Sequence, residues 1–194
     1  MTVAKFEGAS AIVSGGAGGL GEATVRRLHA EGLGVVIADL AADKGKALAD
    51  ELGGGALFVS TDVTSDDSVQ GAIEQANQLG RLRYAVVAHG GFGVAQRIVQ
   101  RDGSPADMAG FTKTINLYLN GTYNLTRLVA ASVAAAEPRE DGERGAIVMT
   151  ASAAPPCSGP LRVPTALTTA ECRSLRVEAV TRAAKAEAFA PCSA

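Results

Sequence analysis

Eight residues near the amino end of the chain have the composition of a phosphate-binding turn. Residues Ser14 to Gly21 read S-G-G-A-G-G-L-G and lie between the apolar run Ala9 to Val13 and the helix-like stretch Glu22 to Glu31. Glycine tolerates positive φ in a tight turn, and it lets backbone N–H groups and a helix N-terminus approach anionic phosphates without an intervening Cβ. The turn therefore predicts a site for a nucleotide diphosphate.

Two glycine spacings coexist in this turn. Gly16-x-Gly18-x-x-Gly21 matches the dinucleotide fingerprint, and Gly15-x-x-x-Gly19-x-Gly21 is a second, wider spacing. The residues predicted to bind the cofactor here are Ser14, Gly15, Gly16, Gly18, Gly19, Leu20 and Gly21.

An acidic residue follows the next apolar strand. Val35 to Ala38 read as a buried strand that ends in Asp39, with Leu40 beside it. A carboxylate at this place accepts hydrogen bonds from both hydroxyls of the adenosine ribose and repels a 2′-phosphate, which favours NAD over NADP. The alternative is an ordinary strand–turn–helix with a surface aspartate.

Composition limits the other functions of the chain. With 194 residues and a formal net charge of −2, it is long enough for one α/β domain, and its interspersed charges favour neither nucleic acid nor an anionic membrane as a partner. No apolar run approaches the roughly 20 residues of a membrane span. The three cysteines, Cys157, Cys172 and Cys192, have no metal-ligand spacing. We expect a cytoplasmic protein whose partners are small molecules or copies of itself, without a metal.

Apolar runs alternate with amphipathic stretches along most of the chain. The predicted strands are Ala9 to Val13, Val35 to Ala38, Ala56 to Val59, Tyr84 to Ala88 and Ala146 to Met149. The predicted helices are approximately Leu20 to Glu31, Asp43 to Leu52, Asp66 to Gln78 and a long one from about Pro105 to Ala135, with Asp43 and Ser65 as N-caps. This order predicts a single α/β domain with a doubly wound parallel sheet that is covered on both faces.

The composition changes after the fifth predicted strand. We assign residues 1–152 to the nucleotide-binding domain and 153–194 to a tail rich in proline and alanine, as expected of GC-rich coding sequence read in another frame. Within this tail, Ala170 to Ala190 keep a helical pattern. No stretch has the pattern of the expected sixth strand, so we expect the last strands of the sheet to be missing.

Residues 8 to about 152 resemble the short-chain dehydrogenase/reductase family, and within it the branch of 3-hydroxyacyl-CoA and hydroxysteroid dehydrogenases. The resemblance rests on the glycine turn and Asp39, and on Thr61-Asp62-Val63, Leu119 to Asn124 and Glu143 to Ser152. It implies a Rossmann-like fold, NAD as cofactor, and interconversion of a hydroxyl and a keto group. It also implies dimers or tetramers that form through the long central helix.

The resemblance implies further cofactor contacts. Asp62 would bind the adenine amino group and Val63 would pack beside the ring, although Asp62 also reads as an acid in the first turn of a helix. Ala88 and Gly90 belong to the segment that contacts the cofactor ribose, where Ala88 replaces an asparagine and lacks its hydrogen-bonding group. We interpret His89 as a packed or surface residue rather than a proton donor.

The catalytic residues match the family only in part. Ser152 matches the serine that steadies the substrate oxygen, but the family's tyrosine, with a lysine four residues later, is expected about 13 residues downstream and no tyrosine follows Tyr123. The closest trace, Thr181 and Lys185, offers an alcohol in place of a phenol whose unperturbed pKa is about 10. The alternative function is therefore a catalytically inactive relative that binds NAD or acts only as an oligomer partner.

The family's relay asparagine has no assigned counterpart. Its position aligns with Tyr118, and the nearest upstream asparagine is Asn116. Two residues turn an α-helix by about 200°, so Asn116 does not simply replace it.

Overall fold

A six-stranded sheet forms the centre of the computed structural model, which describes residues 6–90, 98–150 and, as backbone, 175–178. The strands are β1 (Ala9–Ser14), β2 (Gly34–Asp39), β3 (Ala56–Ser60), β4 (Arg81–Val87), β5 (Glu143–Met149) and β6 (Leu175–Glu178). Their order is β3-β2-β1-β4-β5-β6. β1 to β5 are parallel, and β6 is antiparallel to β5.

The apolar character of β1 follows from its place at the middle of the sheet. All six of its residues are buried. Because successive side chains of a strand point to opposite faces, Ile12 joins one hydrophobic core while Ala11 and Val13 join the other. The two cores explain why the strand reads as a continuous apolar run rather than an alternating one.

The helices cover the sheet in two layers. They are α1 (Gly19–Ala30), α2 (Ala42–Leu52), α3 (Asp66–Leu79), α4 (Met108–Ile115) and α5 (Thr122–Ala134), with a π-helical segment (Asn116–Gly121) between the last two. α3 and α5 pack in one core and α1 and α2 in the other. We call residues 108–134 the central helix. Within the described ranges, no helix is both long and apolar enough to cross a bilayer.

The helix starts confirm one predicted cap and correct another. Ser65 is the N-cap of α3 and accepts a hydrogen bond from the backbone N–H of Ser68 at 3.4 Å. Asp43 is not an N-cap, because α2 starts one residue earlier, after Ala41. The N–H of Ala41 donates to Oδ1 of Asp39 at 2.9 Å, which tightens the turn and leaves Asp43 inside the first helical turn.

The predicted α/β, Rossmann-like parallel sheet is confirmed, but the tail differs at one place. The helix predicted over Ala170 to Ala190 is wrong at Leu175–Glu178, which form an edge strand. The sequence L-R-V-E alternates apolar and charged residues, which suits a strand, and pairing with the open edge of β5 outweighs the helical pattern. The strand is antiparallel to β5, so it is not the expected parallel sixth strand. The boundary at residues 152 and 153 lies outside the described residues and stays a prediction.

Candidate nucleotide-binding site

The candidate site is a cleft at the carboxyl ends of the central strands. β1 pairs with β2 on one side and with β4 on the other, so the chain changes its direction of travel across the sheet at β1. Open parallel sheets bind ligands in the crevice at such a switch point. A cleft of about 170 Å³ lies here, lined by Gly15, Ala38, Asp39, Leu40, Thr61, Asp62, Val63, His89, Gly90 and Leu117.

The glycine turn is packed so closely that three of its positions, Gly15, Gly16 and Gly21, exclude a side chain. Gly15 has φ of +69°, and a Cβ there would lie 2.6 Å from the Cα of His89, in the segment after β4. A Cβ on Gly21 would overlap the carbonyl oxygen of Gly15. The turn therefore lies directly against the end of β4, and α1 starts directly against the turn.

The N-terminus of α1 leaves space for an anion. Gly18 is its N-cap in an extended conformation, and a Cβ at Gly18 or Gly19 would have no atom within 4 Å. The first N–H groups of a helix have no acceptor within the helix and carry its positive partial charge. Glu22, the acidic residue of the first turn, is paired with Arg26 at 2.9 Å, which offsets its negative charge.

Asp39 is held in place by two backbone N–H groups. Its Oδ2 accepts from Ala17 in the glycine turn at 3.0 Å, and its Oδ1 accepts from Ala41 at 2.9 Å. A carboxylate has about four acceptor positions, so each oxygen keeps capacity for a further donor. Asp39 thus joins the glycine turn to the end of β2 and presents a fixed negative charge to the cleft.

Asp62 and Val63 form another wall of the cleft. The hydroxyl and the backbone N–H of Thr64 donate to Oδ1 of Asp62 at 2.7 and 2.9 Å, and these bonds hold the pKa of that carboxyl below its usual value. Val63 is buried. Asp62 lies three residues before Ser65, the N-cap of α3, so the interpretation as an acid in the first turn of a helix is wrong, and the residue lines the cleft instead.

His89 joins β1 to the central helix. Its Nδ1 lies 2.7 Å from Oγ of Ser14, and its Nε2 lies 3.3 Å from Oγ1 of Thr122. Burial lowers the pKa of this imidazole, against the smaller opposing effects of the Leu117 backbone and the Asp39 charge. The ring is a packed residue with partners on two elements, in line with the interpretation of the sequence.

The predicted cofactor residues divide into two groups. Those that line the cleft are Gly15, Asp39, Leu40, Asp62, Val63 and Gly90. The others lie next to the cleft but do not line it. They belong to the glycine turn, to the start of α1 and to the residue just after β4, and they are Ser14, Gly16, Gly18, Gly19, Leu20, Gly21 and Ala88. The predicted catalytic Ser152 lies outside the described residues, as do Thr181 and Lys185.

Four lining residues are absent from the predicted cofactor set: Ala38, Thr61, Leu117 and His89, which the sequence analysis interpreted only as a packed or surface residue. Ala38 and Thr61 lie at the carboxyl ends of β2 and β3, so the rule that ligands bind at strand ends would have found them. Leu117 had no such signal, because it lies in the π-helical segment of a helix whose pattern is uninterrupted in the sequence.

The π-helical segment also changes the argument about the relay asparagine. Asn116 and Tyr118 both lie in it, so the α-helical rotation of about 200° between them does not apply. The side chain of Asn116 is exposed, and its Oδ1 accepts from Asn120 at 2.8 Å. The ring of Tyr118 lies against Gly90, where a Cβ would be 3.0 Å from its Cε1. The relay position therefore stays unassigned.

Comparison with known proteins agrees with this geometry. The family model for short chain dehydrogenase matches residues 9–163. The 3-hydroxyacyl-CoA dehydrogenase type-2 of Drosophila melanogaster is 40% identical over 150 residues, covering 77% of this chain and 59% of that protein. The protein of the same name from Homo sapiens is 38% identical over 152 residues, covering 77% and 58%.

A solved structure is more similar still. The crystal structure of 3-hydroxyacyl-CoA dehydrogenase type-2 from Mycobacterium avium shares 86% sequence identity with a TM-score of 0.75, covering 78% of this chain and 58% of that one. The chain thus spans less than two thirds of the length of each of these relatives. On the match to residues 9–163, the chain belongs to the short-chain dehydrogenase family.

Proposed function

We propose that this chain binds NAD in the cleft and acts as an NAD-dependent oxidoreductase that interconverts a hydroxyl and a keto group. The substrate is of the 3-hydroxyacyl-CoA or hydroxysteroid type. The observation that carries the proposal is Asp39, a carboxylate fixed by two backbone N–H groups in the same cleft as the glycine turn. The names of the relatives support the substrate class.

The residues present fit this cofactor. The open space at Gly18 and Gly19, together with the N-terminus of α1, suits a pyrophosphate. Asp39 suits the two hydroxyls of the adenosine ribose. Asp62 and Val63 suit the amino group and the face of adenine, with Leu40 beside them and Ala88 and Gly90 toward the second ribose. The nicotinamide of NAD supplies the hydride acceptor when it is bound.

Catalysis itself rests on fewer residues. Ser152 is proposed to steady the substrate oxygen by hydrogen bonding. One sequence observation favours the alternative, a relative that binds NAD without turnover: no tyrosine follows Tyr123, so the family's phenol acid/base has no counterpart downstream of Ser152. An aliphatic alcohol has too high a pKa to replace a phenol in this role.

The other proposed partner is a second copy of this chain, in a cytoplasmic dimer or tetramer. The central helix carries three large apolar side chains that are exposed in the single chain, Met108 at 68%, Leu119 at 52% and Tyr123 at 69%. Burial of such side chains between two copies is favourable by roughly 25 cal/mol per Å².

Burial favours the neutral form of His89, which gives the stability of the fold a pH dependence of known sign. The pKa of His89 is lowered from the ordinary value of 6.5 by burial. Between the native pKa and 6.5 the unfolded chain therefore binds more protons than the native one. The contribution is complete above pH 6.5, and stability is lost as the pH falls below that value.

A titration with nucleotides tests the cofactor. NAD and NADH are expected to raise the melting temperature of the wild type in a saturable way, while NADP has a weaker effect, because ligands that bind the native state stabilise it. Asp39→Asn removes the charge and replaces one of the two acceptor oxygens by an NH2 group, so it also loses one of the two backbone hydrogen bonds. It should weaken NAD binding by roughly tenfold, since a hydrogen bond to a charged group contributes about 1.5–3 kcal/mol. It should also reduce the ratio of the affinity for NAD to the affinity for NADP.

The matched control for this titration is Asp43→Asn. Asp43 is an exposed carboxylate in the first turn of α2, four residues after Asp39. Its loss should leave the binding of NAD and of NADP unchanged. No shift with NAD in the wild type, or an equal shift with NADP, would contradict the proposed cofactor.

Histidine substitution tests the pH dependence. From pH 7.5 to pH 5.5 the melting temperature of His89→Gln should fall less than that of the wild type, because its neutral side chain cannot bind a proton. The protein has two histidines. The control is therefore His29→Gln, which removes the other imidazole and should keep the pH dependence of the melting temperature that His89 causes. Parallel pH profiles for the wild type and His89→Gln would show that this imidazole does not titrate as described.

Turnover is measured by the appearance of NADH at 340 nm with a panel of 3-hydroxyacyl-CoA thioesters and hydroxysteroids. The oxidoreductase proposal expects activity with at least one class of substrate, and Ser152→Ala should abolish it. Binding of NAD with no turnover across the panel identifies the alternative function.

Sedimentation velocity tests the second copy as a partner. The wild type should form dimers or tetramers, and Tyr123→Glu should shift them to monomers because it places a charge in the proposed interface. Ile98→Glu, at an apolar side chain exposed elsewhere, should not. A wild type that stays monomeric up to 100 micromolar, roughly the range of weak dimers, would overturn this proposal.

A further inference from the structure

Asn124 is a buried amide whose hydrogen bonding is incomplete. It lies in α5 with 7% of its surface exposed, and its Nδ2 donates to the carbonyl oxygen of Val63 at 3.0 Å, across 61 residues of sequence. In the parts of the chain that the structure describes, its Oδ1 is the buried side-chain oxygen or nitrogen that has no hydrogen-bond partner. One half of the amide is therefore used and the other half is not.

Helix packing alone does not account for this asparagine. A buried acceptor without a partner costs at least as much as one neutral hydrogen bond contributes. The neighbouring inward positions of α5 are apolar, namely Leu125, Val129 and Val133, and all three are fully buried. An apolar residue at position 124 would fill the same core without the unpaired oxygen. What such a residue cannot do is hold the carbonyl of Val63.

The central helix makes a second contact with Val63. A Cβ on Gly121 would lie 2.6 Å from Cγ2 of Val63, so the side chain of Val63 rests directly on the helix backbone there. Gly121 and Asn124 are three residues apart and share a face of the helix. Together they fix the side chain and the carbonyl of Val63 to the central helix.

Hydrogen bonds within the turn around Asp62 set its conformation, whereas a contact with the central helix sets its position in the cleft. Thr64 donates to Asp62 Oδ1, and the backbone N–H of Asp62 donates to Oγ of Ser68 at 2.9 Å. These bonds lie within one short stretch of chain and set its shape. The bond from Asn124 joins this stretch to α5, and so fixes where Asp62 and Val63 lie in the cleft.

We propose that Asn124 is a positioning residue for recognition of the adenine base: by holding Val63, it sets the carboxylate of Asp62 at the distance that lets it accept from the adenine amino group. The inference rests on the proposed binding of NAD. It concerns the selectivity of the site for the base rather than the binding of the phosphates or ribose.

The test compares NAD with its hypoxanthine analogue, in which a carbonyl oxygen replaces the amino group of adenine. The wild type is expected to bind NAD roughly tenfold more tightly, since a carboxylate that loses a donor and meets an oxygen loses a charge-assisted hydrogen bond. Asn124→Leu should lose this preference while its melting temperature without ligand stays within about 4 °C of the wild type, roughly what 1 kcal/mol represents for a chain of this size. Affinities are measured by calorimetry.

The matched control is Asn120→Leu, the same substitution one turn earlier on an exposed side chain of the central helix. It should keep the preference for NAD. If Asn124→Leu loses its cooperative thermal transition, Gly121→Ala carries the test instead, because its methyl group displaces Val63 from the other contact and should reduce the preference in the same way.

The outcomes separate the two proposals. A wild type that binds neither dinucleotide overturns the proposed function, and this inference with it. A wild type that binds both equally, or an Asn124→Leu protein that keeps the full preference, overturns the inference and leaves the binding of NAD in place.

Discussion

The handedness of the crossovers between parallel strands determines where this protein can hold a ligand. Such crossovers are almost always right-handed. When successive strands are added toward one edge of the sheet, the connecting helices therefore lie on one face. When strands are added toward the other edge, the connecting helices lie on the opposite face. The chain adds β2 and β3 on one side of β1 and then returns to add β4 and β5 on the other. α1 and the segment after β4 therefore leave β1 and β4 on opposite faces, and a crevice opens between them. The close contact of Gly15 with His89 forms the floor of that crevice.

The central helix is part of this site, although it contributes few residues to its lining. Leu117 lines the cleft, Thr122 holds the ring of His89, and Asn124 holds Val63. These contacts come from a stretch in which the helix passes from π to α geometry. A π segment changes the face that the following residues present. The helix thereby reaches both walls of the cleft, the end of β4 and the turn after β3.

Much of this architecture could be predicted from the sequence, because it depends on local patterns. The apolar runs located β1 to β5, and the glycine turn with Asp39 identified the cleft. The predicted start of β4 at Tyr84 was three residues late, since the strand begins at Arg81. Arg81 and Arg83 are charged, but their guanidinium groups donate to the carbonyls of Ala135 and Glu137 at the end of α5, a long-range contact that no local pattern reveals.

The features that could not be predicted share this dependence on distant partners. β6 pairs with the open edge of β5, and its alternation covers only four residues inside a longer stretch with a helical pattern. The hydrogen-bond partners of His89 were not predictable, because Ser14 and Thr122 lie 75 and 33 residues away. Leu117 enters the cleft because the helix is locally π-helical, and the residues Asn116 to Gly121 contain no proline to mark a break.

The strand order also determines when the fold can form during synthesis. β1 is the middle strand, yet the contact of Ser10 with Gly80 at its second edge spans 70 residues. Closing a loop of that length costs roughly 4 kcal/mol of chain entropy before any pairing repays it. At ribosomal rates of about 5–20 residues per second, β4 is synthesised roughly 4 to 15 seconds after β1. During that time β1, all six residues of which are buried in the folded protein, has an open edge. The nascent chain is therefore most prone to aggregation while its first half is complete and β4 is still being made.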